Sequence, residues 1–205
     1  MLGQGRTEII NKALLYLGED TILDPRGESK NAKLCESVFD SILAEILSGH
    51  PWSFATVAVQ LQQLAEAPKD TRFAYQYQLP TDIGMIQQVA VNATAPAHWQ
   101  WDKANKLPQA MYTIQGDRLL SGSQPLQMIY TRSKVEPFEM PPKFFDFLAI
   151  KIAVSLAYKI AGQDREKAVA QAAEMKELEA KHADSLGTED MPANRPALLL
   201  NSRRF

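Results

Sequence analysis

The stretch from Ala32 to Pro51 places the tightest constraint on how this chain can fold. Cys35, Val38, Phe39, Ile42, Leu43, Ile46 and Leu47 lie alternately three and one residues apart, the recurrence of one face of an α-helix. The segment predicts a helix with one buried face. Gly49 is expected to close it in the left-handed conformation of a C-cap, because His50-Pro51 cannot continue the hydrogen-bond ladder. The grammar of the chain then changes. Trp52 and Phe54 bring two large rings at strand spacing, and from there to about Glu136 the residues read as strands and turns.

A chain of 205 residues is long enough for one large domain or for a core domain carrying an insertion. Its formal net charge of −2 lacks the basic excess of a protein that wraps duplex nucleic acid. The single cysteine, Cys35, lies on the apolar face of the Ala32 helix and reads as a small buried hydrophobe rather than a reactive thiol. It has no partner for an intrachain disulfide. Asp146, Lys151 and Lys159 interrupt the most apolar stretch, Phe144 to Ile160, and the first twenty residues lack the apolar core of a secretory signal. The expectation is a soluble protein of a reducing interior with no membrane contact.

Ile9, Ile10, Ala13, Leu14 and Leu17 predict a first helix over Thr7 to Leu17, with Thr7 as N-cap and Gly18 as C-cap. Gly3-Gln4-Gly5 resembles the start of a phosphate loop, but no strand precedes it and a third glycine is missing. Turn residues around Asp24-Pro25-Arg26-Gly27 lead to Ser29 or Asn31, either of which can cap the second helix.

Strands are expected over Phe54–Gln63, Ala74–Leu79, Met85–Asn92, His98–Trp101, Gln109–Gln115, Arg118–Ser121 and Leu126–Arg132. Tyr75, Tyr77 and Leu79 alternate with Gln76 and Gln78, which predicts one buried and one wet face. Gln115-Gly116-Asp117-Arg118 marks a tight hairpin. After Pro141-Pro142 a third, very apolar helix should run until Gly162. Asp164 should cap a fourth helix lined on one side by Ala168, Val169, Ala172, Met175, Leu178 and His182, ending at Gly187.

The fold class is therefore α+β. The N- and C-terminal helix pairs form a four-helix layer, and a small antiparallel β domain is inserted between them. The boundaries fall at 1–51 for the first helical half, 52–136 for the β insertion, 137–187 for the second helical half and 188–205 for an extended C-terminal arm. That arm carries Leu198-Leu199-Leu200 and Arg203-Arg204-Phe205 behind Pro192 and Pro196. Three leucines that no helix of their own can bury ask either for a partner or for a place back on the same subunit.

Catalytic chemistry is not apparent. His50, His98 and His182 are scattered without metal-ligand spacing, and no serine, cysteine or acidic pair sits in a recognisable motif, so no cofactor, metal or enzymatic activity is expected. His98-Trp99-Gln100-Trp101 could stack on sugars or bases, although only Lys103 and Lys106 lie near; a rim contact or a hairpin core fits it better.

Three strings carry a resemblance. Asn11-Lys12-Ala13-Leu14-Leu15-Tyr16-Leu17-Gly18, His50-Pro51-Trp52-Ser53-Phe54-Ala55 and Tyr75-Gln76-Tyr77-Gln78-Leu79-Pro80-Thr81-Asp82, in that order, resemble the tail tubular protein A family of short-tailed bacteriophages. The resemblance extends over nearly the full length. It implies a structural head-to-tail adaptor in the virion tail, made in the host bacterial cytoplasm. Such an adaptor forms a homo-oligomeric, dodecameric ring between the portal protein and a tail nozzle of the tail tubular protein B type. The arm residues Leu198, Leu199, Leu200, Arg203, Arg204 and Phe205 would bind the portal, with aliphatic burial and arginine hydrogen bonds supplying the grip. Trp99, Trp101, Gly116 and Asp117 would face the nozzle, and helices three and four would meet ring neighbours. Genomic DNA would make transient, non-specific contact with a weakly acidic wall that does not hold it. Two alternatives remain: a DNA-binding or packaging-associated regulatory protein, and a small-ligand binder or enzyme.

Overall fold

The computed structural model describes residues 2–24, 29–91 and 111–189. Among them are four α-helices, α1 (Leu2–Leu17), α2 (Lys30–Gly49), α3 (Pro142–Ala161) and α4 (Gln163–Glu189). Six strands follow α2: β1 (Thr56–Gln60), β2 (Tyr75–Gln78), β3 (Ile83–Val91), β4 (Tyr112–Gln115), β5 (Arg118–Ser121) and β6 (Leu126–Arg132). The protein is thus mixed α+β. Short 3-10 turns at Ser53–Ala55 and Pro137–Glu139 stand at the two crossings between helices and strands.

The strands form two antiparallel three-stranded sheets, ordered β1-β6-β3 and β2-β5-β4. Both feed one apolar cluster, with Tyr77 from β2, Leu119 from β5, Val89 from β3, and Leu126, Met128 and Tyr130 from β6. β6 is buried on both faces from Leu126 to Thr131, as a central strand covered on each side must be. Its second face lies toward α2.

A separate, larger cluster holds the helices together. α3 contacts α1, α2 and α4, and it buries Phe144, Phe147, Leu148, Ile150 and Ile152 around most of its circumference, which is why its sequence is apolar nearly all round. Pro142 opens it at the first helical position, where a missing N–H costs nothing. Gly18 ends α1 at φ +82°, where the Gly18 N–H bonds the Leu15 carbonyl (3.1 Å) and the Glu19 N–H bonds Leu14 (3.0 Å), a Schellman closure. Gly162 likewise ends α3 at φ +83°.

Several local expectations are corrected. α1 starts at Leu2, so Thr7 lies inside the helix and is not its cap. Of the two expected caps of α2, Ser29 takes the position, and Asn31 donates to Glu19 (2.8 Å). Gly49 stays helical; the chain leaves α2 through an extended His50 (φ −152°, ψ 144°). Phe54 belongs to a 3-10 turn rather than to β1. Gln76, expected on a wet face, is buried because the segment after β1 folds over it: its side chain donates to the Glu66 carbonyl (2.8 Å) and accepts from Arg118 (3.1 Å). Asp164 sits in the first turn of α4 rather than at its cap. The helix continues through Gly187 to Glu189, two residues into the range expected to be arm.

The largest correction concerns α4. Among its described residues Val169, Ala173 and Ala180 are buried, Val169 as expected, while Met175 and Leu178, expected to face inward, are 62% and 64% exposed. The small inward residues let α4 lie close on α3, which itself buries Ala149, Ala153 and Ala157. Longer side chains there would hold the helices apart.

Candidate functional site

The corner where α2 gives way to β1 gathers interactions from distant parts of the chain. Trp52 is buried at 1% exposure, and its indole N–H donates to the Ile46 carbonyl (2.9 Å), one of the acceptors that the end of α2 leaves open. Its ring packs edge-on against Phe144 (4.8 Å between centroids) and His50 (4.5 Å), and Phe54 meets Phe144 at 4.7 Å. Such offset aromatic contacts add about 0.5–1.5 kcal/mol each beyond area burial. The string His50 to Ala55 is thus a structural joint.

Hydrogen bonds carry that joint into the sheet. The Trp52 carbonyl accepts from the Thr56 hydroxyl (2.7 Å), whose oxygen accepts from the Gln87 side-chain amide (2.8 Å), and the same amide donates to the Thr131 hydroxyl (2.8 Å). Three strands and the end of a helix are therefore linked by one chain of polar groups. Gln87 reaches both threonines from an irregularity in β3, where the register with β6 shifts between Ile86 and Gln88. A bulge re-aims the side chain of the extra residue. On the other side of the corner, the Asp184 carboxylate of α4 accepts from the Ser53 N–H (3.0 Å) and hydroxyl (2.6 Å), and its second oxygen lies 3.4 Å from His50 Nε2.

Beside the joint is a groove of about 190 Å³ lined by Trp52, Phe147, Glu45, Lys151, Glu177 and Lys181 among others. It is smaller than the ~300–1,000 Å³ of typical small-molecule sites, and Lys181 and Glu177 are already paired at 2.6 Å. Among the described residues, no three histidines, cysteines or acidic residues are grouped to hold a metal ion. Cys35 is fully buried, and that burial pushes its thiol up to about 11, which keeps it protonated at neutral pH. Among the described residues no helix is long and apolar enough to cross a membrane.

Gly116 and Asp117 form the exposed two-residue tip of the β4–β5 hairpin, with Gly116 at φ +63° as such a turn requires. The tip is not loose: the Asp117 carbonyl accepts from the Leu79 N–H (3.0 Å), and its carboxylate accepts from the Gln78 amide (3.2 Å). Trp99, Trp101, Leu198, Leu199, Leu200, Arg203, Arg204 and Phe205 lie outside the described residues. The sequence reading missed Gln87 and Asp184, and no local signal marks either, since their partners are 31 to 131 residues away. The chain matches no known family model and no curated protein sequence.

Proposed function

We propose that this chain is a structural head-to-tail adaptor of a short-tailed bacteriophage, a ring subunit that joins the portal to the tail nozzle and surrounds the DNA exit channel. The single observation that carries this reading is the corner at Trp52. A polar chain from the Ile46 carbonyl to Thr131, braced by Asp184 from α4, ties the helical cluster to the β cluster. A part that transmits load between two larger assemblies needs a stiff joint between its two ends. The residues that build it, His50 to Ala55, are one of the strings in which the sequence resembles the tail tubular protein A family.

In this reading the helix pairs form one layer, the β insertion projects from it, and the arm begins beyond Glu189, the last residue of α4. Leu198, Leu199, Leu200, Arg203, Arg204 and Phe205 grip the portal. The hairpin tip at Gly116 and Asp117, with Trp99 and Trp101, meets the nozzle. The net charge of −2 suits a conduit that genomic DNA must slide through without being held.

Truncation after Ala193 tests the reading. The shortened chain should fold, by circular dichroism and melting temperature, but should no longer seat on purified portal rings in electron micrographs. Normal seating of the shortened chain would remove the arm assignment, and failure of the full chain to bind portals at all would remove the adaptor function.

A further inference from the structure

We draw no further inference here: the strongest candidate, the exposed apolar face that Met175, Leu178 and Leu186 form on α4, carries none, because nothing in the structure shows what covers it.

Discussion

Asp184 and Ser53, 131 positions apart in sequence, meet through two hydrogen bonds to one carboxylate oxygen, from the Ser53 N–H at 3.0 Å and from its hydroxyl at 2.6 Å. Ser53 opens the 3-10 turn that starts the β region, so the carboxylate acts as a cap delivered from another element. This contact pins the last turns of α4 to the corner at Trp52.

Asp184→Ala should cost about 0.5–2 kcal/mol in urea unfolding, since it removes the acceptor that caps the Ser53 N–H and hydroxyl. Ser53→Ala should add little in the Asp184→Ala background. Losses that sum independently in the double-mutant cycle would show that the two residues are not coupled.

Gln87→Leu should lower stability by about 1–3 kcal/mol, because the buried Thr131 hydroxyl loses its donor. Adding Thr131→Val removes the stranded group as well and should recover part of the loss. Thermal melts of the two variants decide the point: no recovery in the double variant would place the effect elsewhere in the bulge.

Two helical glycines should respond to alanine with opposite sign. A methyl added to Gly49 meets nothing within 4 Å, so Gly49→Ala should stabilise by about 0.5–1 kcal/mol through helix propensity. At Gly5 the added carbon would stand 2.7 Å from the Pro137 Cβ, so Gly5→Ala should destabilise despite the same propensity gain. The glycine pair that resembles a phosphate loop thus has a packing role at Gly5. Equal shifts in melting temperature would contradict this.

Burial, and then its hydrogen bond to Asp82 (2.9 Å), push the Tyr130 phenol up to about 12 from its ordinary value of 10. The folded state keeps the proton longer than the unfolded state does. The contribution is therefore complete below pH 10 and is lost as pH rises from about 10 to about 12, each pH unit of the gap being worth about 1.4 kcal/mol. Tyr130→Phe should flatten the fall in stability over that window. An unchanged alkaline slope in denaturant titrations would assign the fall to other groups.

What could be read from the sequence was what neighbouring residues decide among themselves. β5 and β6 occupy Arg118–Ser121 and Leu126–Arg132 as expected, the hairpin turns at Gly116-Asp117, and Gly18 and Gly162 take positive φ where helices end. Each follows from sterics and hydrogen bonding within a few positions along the chain. Gly49 marks the limit of that logic, because α2 is closed by an indole and an extended histidine rather than by a left-handed glycine. α4 marks it more sharply: two faces of one helix are apolar, and periodicity alone cannot say which is buried. Tertiary structure chose Val169, Ala173 and Ala180, because small side chains let the helix settle onto α3, and so left Met175, Leu178 and Leu186 in solvent. The burial of Gln76, the reach of Gln87 and the grip of Asp184 on Ser53 were likewise decided only there, since each depends on the fit between surfaces that the chain brings together from far apart.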